Sequence, residues 1–248
     1  MSNELILGQI DGAVFEIQIN RADKMNALTD LMYGQLIEKL KQAENDPEIK
    51  VILLRSSSKH FSAGNDLADF LETKFNFESN VVQFLVTMAS LTKPIIAAVS
   101  GAAVGIGTTM LLHCDLVFAS ESTKFSMPFI KLGLTPEGGS SQMLADRCGP
   151  AKANDWLLTG RNILSDEALA CGLINHVMAD TEMTWKEAMS CAQKLSQSSS
   201  EVLIATKSLI KAEYVDDVIG LIEKEALVFA QRLKSNEAQS AFAAFLNR

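Results

Sequence analysis

The most informative part of the 248-residue chain is the run Lys93-Pro94-Ile95-Ile96-Ala97-Ala98-Val99-Ser100-Gly101-Ala102-Ala103-Val104-Gly105-Ile106-Gly107. Its first half is apolar and rich in β-branched residues, and Ser100-Gly101 then interrupts it. The run therefore predicts a buried strand, a turn and a buried helix. Such a turn leaves backbone N–H groups free at a helix N-terminus, where they favour an anion or a developing oxyanion.

The same region has the length of a membrane span. Residues 94–114 contain no Asp, Glu, Lys or Arg, and Gly101 and Gly105 have the spacing that packed membrane helices use. The break at Ser100-Gly101 would leave backbone groups unpaired in a bilayer. We therefore expect a buried core segment and no membrane partner.

A second turn of the same kind occurs earlier in the chain. The apolar run Val51-Ile52-Leu53-Leu54 leads to Ser62-Ala63-Gly64-Asn65-Asp66 and then to a predicted helix. Either turn alone is more typical of a plain strand-to-helix connection. Neither matches a dinucleotide fingerprint or a P-loop, because the third glycine and the Lys-Ser or Lys-Thr pair are missing. Two such turns meeting in space would form an oxyanion hole.

The remaining chain predicts an α/β fold with a helical C-terminal part. A helix follows Asn26 and stops before Asp46-Pro47, and Ser165 is expected to cap a short helix that ends at Cys171. The predicted strands are residues 5–10, 14–19, 51–55, 95–99 and 116–119. The predicted C-terminal helices lie around residues 185–195, 201–211, 218–233 and 238–246.

Composition excludes several classes of partner. The net charge of -8 argues against nucleic acid, which requires clustered Lys and Arg. The four cysteines form no CxxC pair and the three histidines have no metal-ligand spacing, so we expect no metal and no redox cofactor. The first residues lack the pattern of a secretory signal, and a cytoplasmic location is expected.

The order and spacing of both turns, with further motifs, resemble the crotonase family, also called the enoyl-CoA hydratase/isomerase superfamily. The resemblance spans nearly the whole chain. The other matching motifs, in chain order, are Asn20-Arg21-Ala22-Asp23-Lys24-Met25-Asn26-Ala27-Leu28, Phe61-Ser62-Ala63-Gly64-Asn65-Asp66-Leu67, Cys114-Asp115-Leu116-Val117-Phe118-Ala119, Phe125-Ser126-Met127-Pro128 and Leu158-Thr159-Gly160-Arg161.

The resemblance implies a crotonase-like spiral of ββα units over residues 1–195. It also implies a helical oligomerisation region over residues 196–248, which builds a homotrimer or a dimer of trimers. Acyl-CoA thioesters are the implied substrates, and coenzyme A enters only as part of the substrate. By position, the oxyanion-hole N–H groups belong to Asn65 and Ile106. The implied substrate-binding residues beside them are Ala63, Gly64, Asp66 and Leu67.

The acids of the family are only partly present. The hydratase pattern uses two glutamates, and this chain has Thr109 and Phe129 at those positions. Neither side chain transfers a proton at neutral pH. Adding water across a double bond requires an oriented water and a proton donor, whereas moving a double bond from C3 to C2 requires one base and an oxyanion hole.

Glu137 is the remaining candidate for that base. It lies in Gly133-Leu134-Thr135-Pro136-Glu137-Gly138-Gly139-Ser140-Ser141, and its Pro-Glu-Gly motif resembles that of peroxisomal-type Δ3,Δ2-enoyl-CoA isomerases. We therefore expect Glu137 to remove a proton from C2 and return it at C4. The alternative is an acid in the first turn of a helix that only stabilises the helix dipole.

Two other functions stay open from the sequence. The first is an enoyl-CoA hydratase, or another acyl-CoA lyase or hydrolase of the same superfamily. The second, of another class, is a non-catalytic acyl-CoA-binding or scaffold protein. The remaining polar residues near the turns are expected to pack, cap or solvate, and these are His60, Asp66, Asp69, Glu72, Cys114 and Asp115. Contact with CoA is an option for Phe242, Phe245 and Arg248, although core packing is the preferred interpretation.

Overall fold

The computed structural model describes residues 4–72, 75–211 and 215–246. Its strands are β1 (Ile6–Asp11), β2 (Val14–Ile19), β3 (Val51–Ser56), β4 (Ile95–Val99), β5 (Ala102–Val104), β6 (Leu116–Ser120), β7 (Lys124–Ser126), β8 (Asn162–Leu164) and β9 (His176–Met178). Its helices are α1 (Asp30–Asn45), α2 (Leu67–Glu72), α3 (Asn80–Ser90), α4 (Ile106–Thr109), α5 (Ser140–Cys148), α6 (Pro150–Thr159), α7 (Ser165–Ala170), α8 (Thr181–Ser196), α9 (Ser200–Lys211), α10 (Val215–Leu233) and α11 (Asn236–Leu246).

Two sheets organise the described residues. The larger has the strand order β1-β2-β3-β4-β6-β9, in which β1 is antiparallel to β2 and the other pairs are parallel. The smaller has the order β5-β7-β8 and contacts the first glycine turn through a parallel bridge between Ser62 and Ala103. The predicted α/β class is confirmed.

The continuous apolar strands are explained by burial on both faces of the large sheet. In β3, Ile52 and Leu54 belong to the main hydrophobic core, whereas Val51 and Leu53 face a second cluster completed by Ala188 of α8. Successive side chains of a strand point to opposite faces, so a strand covered on both sides must be apolar throughout.

Helix α1 and the preceding loop position the first glycine turn. The Thr29 hydroxyl accepts from the Met32 N–H at 3.4 Å and caps the helix. Asn26 has a positive φ of 58°, and its side-chain amide donates to the His60 carbonyl at 2.7 Å. This contact fixes the loop against the residues that lead into Ser62-Ala63-Gly64.

Two local predictions were wrong, and several short elements were not predicted. The second glycine turn does not lead directly to a helix, because β5 intervenes and α4 has only four residues. Ser165 is the first residue of α7 and does not cap it; its hydroxyl donates to the carbonyl oxygens of Ser120 and Thr123. Strands β5, β7, β8 and β9 and helices α5 and α6 were not predicted.

The C-terminal helices cover the core. Ile222 and Phe229 of α10 and Phe242 of α11 are buried in the main hydrophobic cluster. Helix α10 packs against α3, and α11 packs against α2. Within residues 4–72, 75–211 and 215–246, none of the helices combines the length and the apolar character needed to cross a membrane.

Candidate active site

The two glycine turns contact each other. The Ser62 N–H donates to the Ala102 carbonyl and the Val104 N–H donates to the Ser62 carbonyl, both at 3.0 Å. A Cβ atom on Gly107 would lie 2.9 Å from the Ser62 oxygen, and one on Gly64 would lie 2.8 Å from the Val104 oxygen. Glycine at both positions is therefore what allows the turns to approach so closely.

The backbone N–H groups of Asn65 and Ile106 have no acceptor among the described residues. Beside them, the Gly105 N–H donates to the Ser126 carbonyl at 2.8 Å and the Asp66 N–H donates to the Leu28 carbonyl at 2.8 Å. Ile106 begins α4, so its N–H is unpaired for the reason common to all helix starts. Both residues line a cavity of about 750 Å³, and their two backbone N–H groups can donate two hydrogen bonds to a bound oxygen.

The predicted substrate-binding residues border this cavity. Its lining includes Ala63, Gly64, Asn65, Asp66, Leu67 and Ile106. Asp66 accepts a hydrogen bond from Arg21 at 2.8 Å and from the Ala68 and Asp69 N–H groups at the start of α2. Burial opposes its ionisation, but these donors, Arg21 first, lower its pKa below the ordinary value. Asp66 is thus an ionised structural residue at the cavity wall.

Aromatic side chains form the apolar wall of the cavity. Phe229 meets Phe70 edge-on at a centroid distance of 6.1 Å and Phe129 at 6.4 Å. Helix α11 contributes Phe242, which is buried, and Phe245, which is exposed. Both residues therefore reach the cavity, and Phe242 also packs in the core, which was the preferred interpretation. Arg248 lies outside the described residues.

Glu137 lies in the loop before α5 and is only 6% exposed. The Thr109 hydroxyl donates to its Oε1 atom, and Thr109 is three residues, or about one turn, after Ile106 on α4. Glu137 itself is not among the residues that line the cavity. Through Thr109 it contacts α4, the helix that begins with Ile106.

Burial raises the pKa of Glu137 to about 8; the Thr109 hydrogen bond works against this, and the nearby Glu225 carboxylate adds to it. The alternative that Glu137 belongs to the first turn of a helix is wrong, because α5 begins at Ser140.

Glu225 of α10 accepts hydrogen bonds from the backbone N–H groups at the start of α5. Its Oε2 accepts from the Gly139 N–H at 2.6 Å, and its Oε1 accepts from the Ser141 N–H at 2.9 Å. Sequence reasoning missed this residue. The available signal was an acid on the apolar face of a helix, since Val218, Ile222 and Phe229 are buried beside it.

Tyr33 is a second residue that the sequence did not reveal. Its buried hydroxyl donates to the Asn65 Oδ1 atom at 2.5 Å. Burial, followed by the negative charge of Glu137, raises its pKa well above the ordinary value. Tyr33 therefore stays protonated and fixes the side chain of Asn65, the residue whose backbone N–H lies at the cavity.

The other polar residues near the turns are structural, as expected. His60 accepts the Ala102 N–H at 3.1 Å through its Nδ1 atom. Burial raises the pKa of the Cys114 thiol to about 12, and Asp115 pairs with Lys207 at 2.7 Å. In the described ranges, no group of three or more His, Cys, Asp or Glu side chains is arranged to hold a metal ion.

Comparisons with known proteins agree over nearly the full length. Residues 9–248 match the family model described as enoyl-CoA hydratase/isomerase. The solved structure of Pseudomonas aeruginosa OdaA has a TM-score of 0.96 and 38% identity, covering 99% of this chain and 100% of that one. This likeness confirms the predicted crotonase-like fold with its helical C-terminal region.

Two curated relatives carry different activities in their names. A "Probable enoyl-CoA hydratase" of Rhizobium meliloti is 36% identical over 94% of this chain and 89% of its own length. The human "Enoyl-CoA delta isomerase 2" is 31% identical over 98% of this chain and 63% of its own length. Overall similarity therefore does not distinguish hydration from isomerisation, and the distinction depends on the acids at the site.

Proposed function

The chain belongs to the enoyl-CoA hydratase/isomerase family, and from that premise we propose that it is a Δ3,Δ2-enoyl-CoA isomerase with Glu137 as its base. The observation that carries the proposal is the buried Glu137 carboxyl, which contacts Thr109 one turn from Ile106. Thr109 and Phe129 occupy the positions of the two hydratase glutamates. Asp66, the one acid among the described residues lining the cavity, is already paired with Arg21.

The reaction needs one base and one site for negative charge. With the thioester oxygen at the Asn65 and Ile106 N–H groups, Glu137 removes a C2 proton, and the electrons of the C2–H bond delocalise into a dienolate. The same carboxyl group then protonates C4, which leaves the double bond between C2 and C3. Each oxyanion donor contributes about 3 kcal/mol to stabilising the dienolate.

The environment of Glu137 suits this role. A carboxylate with an ordinary pKa is a weak base, whereas one whose pKa burial raises to about 8 accepts a carbon-bound proton more readily. Because the same group must also give the proton back, a pKa near neutrality favours both half-reactions. The Thr109 hydroxyl supports the ionised form that starts the cycle.

Substrate class and assembly are parts of the proposal. The aromatic wall of the cavity fits an apolar acyl chain carried on coenzyme A. The proposed reaction needs no metal and no redox group. We propose a homotrimer or a dimer of trimers. Exposed apolar residues on the C-terminal helices, namely Leu209, Ile210 and Leu227, support self-association.

A hydratase is the second candidate, and two buried hydroxyls favour it. The side-chain oxygens of Thr135 and Ser140, which flank Glu137 in the chain, have no hydrogen-bond partner among the described residues. Buried polar atoms of this kind often bind an ordered water. A water held there beside Glu137 is what hydration would require.

The test compares 3-enoyl-CoA and 2-enoyl-CoA as substrates for the wild type and for Glu137→Gln. We expect the wild type to convert the 3-enoyl substrate to the 2-enoyl isomer, and Glu137→Gln to lower kcat by about 10²- to 10⁴-fold. Glu223→Gln is the matched control, because it makes the same substitution on the exposed face of α10.

Each competing function has its own result in this experiment. Isomerisation that persists undiminished in Glu137→Gln would contradict the assigned base. Conversion of the 2-enoyl substrate to a 3-hydroxyacyl product would favour the hydratase. Binding of either thioester without turnover by the wild type would favour the scaffold.

A further inference from the structure

Glu225 is a buried carboxylate whose partners are unusual. It is 7% exposed, and its two oxygens accept from the Gly139 and Ser141 N–H groups at 2.6 and 2.9 Å. Among the described residues, Glu225 forms no ion pair with Lys, Arg or His. A buried carboxylate normally needs a cation or several donors. Here the donors are backbone N–H groups at the start of the nine-residue helix α5, where the helix dipole also favours negative charge.

The segment that Glu225 holds is the one that carries Glu137. Gly139 is two residues after Glu137, and the Ser140 N–H donates to the Glu137 carbonyl at 3.2 Å. On the opposite side, a Cβ atom on Gly138 would lie 3.4 Å from the Thr109 hydroxyl that binds Glu137. The loop is therefore fixed by α10 on one side and by α4 on the other.

The two glutamates have different hydrogen-bonding environments. Burial raises the pKa of Glu225, and the hydrogen bonds to its carboxylate work against this. Each of its oxygens has a donor, which is the arrangement that an ionised carboxylate prefers. Glu137 has one hydroxyl donor, from Thr109. When two acids lie near each other in a buried site, the better solvated one keeps the charge and the other retains the proton.

We propose that Glu225 is a positioning residue for the proton transfer: it fixes the loop that carries Glu137 and holds a negative charge beside it, which makes Glu137 the stronger base. The inference rests on the proposed role of Glu137 and assigns a function to the C-terminal helix α10, which contributes to the site without touching the reacting atoms.

The other groups around Glu137 do not supply this charge. Burial lowers the pKa of His113, which bonds the Gly138 carbonyl at 2.8 Å, to about 4, so its imidazole is neutral. Tyr33 on α1 has a raised pKa and keeps its proton, and Thr109 on α4 is uncharged. Burial is the first cause of the raised pKa of Glu137, and Glu225 is the charged group that adds to it.

The experiment measures kcat/KM for 3-enoyl-CoA against pH in the wild type, Glu225→Gln and the control Glu223→Gln. The amide keeps the size of Glu225 and removes its charge. Activity should increase with pH in both proteins, and we expect the midpoint of that increase to lie roughly one pH unit lower in Glu225→Gln. The plateau of kcat/KM should also be lower, because a less basic carboxylate transfers the proton less well. Glu223→Gln should give the wild-type curve.

A Glu225→Gln profile that superposes on the wild-type profile would overturn the inference, even if the melting temperature falls. Where Glu225→Gln fails to fold, the carboxyl titrations of the wild type, followed by infrared or carbon NMR spectroscopy, test the same charge. Glu137→Gln identifies which signal belongs to Glu137, and Glu225 should ionise at lower pH than Glu137 in the wild type. A Glu137 carboxyl that ionises before Glu225 would overturn the inference.

The inference and the proposed function fail in distinguishable ways. If Glu137→Gln keeps full isomerase activity, the assigned base is wrong whatever Glu225 does. If Glu137→Gln is inactive and the Glu225→Gln profile is unshifted, Glu137 remains the base and only the role of Glu225 is lost.

Discussion

The buried Glu137 carboxyl forms no ion pair with any cation in the described part of the chain, and its environment favours the protonated form. Its pKa is about 8 in the folded chain, against an ordinary value of 4.5, with burial as the first cause. The folded state therefore binds one more proton than the unfolded state between these two values. Its contribution to stability is fully present below about pH 4.5 and is lost as the pH rises towards 8.

Glu137→Gln should remove this dependence, since an amide does not titrate. We expect the wild type to lose stability relative to Glu137→Gln by about 1.4 kcal/mol for each pH unit between the two pKa values. Denaturant unfolding of both proteins at pH 5, 7 and 9 measures the difference. A difference in the free energy of unfolding that stays constant with pH would show that the Glu137 pKa is not raised.

Thr109 provides a second prediction at this scale. Its hydroxyl favours the ionised form of Glu137, so Thr109→Val should raise the pKa further and lower activity at pH 7 by up to about tenfold. Thr109→Ser keeps the hydroxyl and is the matched control. The pH profile of kcat/KM should move to higher pH in Thr109→Val and stay near that of the wild type in Thr109→Ser. Equal profiles for the two variants would rule out this hydrogen bond as a determinant of the base.

At the scale of elements, the sequence predicted the long buried strands and the two glycine turns. Strands such as β4 are buried at every position, and that burial is visible as an unbroken apolar run. The three-residue strands β5, β7, β8 and β9 are too short to show a period. Helix α5 was hidden because Gly138 and Gly139, with φ of 70° and 77°, both precede it.

The candidate site was predictable where the chain positions its own backbone. The free N–H groups of Asn65 and Ile106 follow from local turns, and so they could be placed from the motif. Tyr33 and Glu225 could not, because their hydrogen-bond partners lie 32 and 84 to 86 residues away. Contacts at such separations depend on the packing of α1 and α10 and leave only a weak trace in the sequence.

Gly107 tests the contact between the two turns. Its φ is ordinary, but an added Cβ would lie 2.9 Å from the Ser62 carbonyl oxygen, so Gly107→Ala should force the turns apart. We expect kcat to fall by about 10- to 100-fold, since displacing an oxyanion donor weakens transition-state stabilisation.

Gly220→Ala is the control for this substitution. It lies in α10 with no atom within 4 Å of the added Cβ, and it should keep full activity with slightly higher stability. Steady-state kinetics of both variants measure the effect on kcat, and thermal unfolding measures the effect on stability. Full activity in Gly107→Ala would mean that the close approach of the turns is dispensable.

At the scale of the whole molecule, the cavity is built from distant parts of the chain. The first turn supplies Asn65, the second supplies Ile106, and α10 and α11 supply Phe229 and Phe242. The C-terminal helices are thus part of the site wall as well as the part of the chain to which the family resemblance assigns oligomerisation. For the proposed isomerisation, we expect this part of the wall to help shield the dienolate from water.

Deleting residues 236–248 removes α11 and opens this wall. We expect KM for 3-enoyl-CoA to rise at least tenfold, because the apolar contacts with Phe242 and its neighbours are lost. Far-UV circular dichroism and the melting temperature check that the remaining chain is folded. A folded truncated protein with an unchanged KM would show that α11 does not contribute to substrate binding.

The central claim is that one buried carboxyl group carries the proton from C2 to C4. It is tested most directly by a single turnover of 3-enoyl-CoA deuterated at C2, with the product analysed by mass spectrometry and NMR spectroscopy. Glu137 is 6% exposed, so exchange with water should be slow, and part of the deuterium should appear at C4 of the 2-enoyl product. Product that contains only solvent hydrogen at C4, formed at the same rate by Glu137→Gln, would contradict the account.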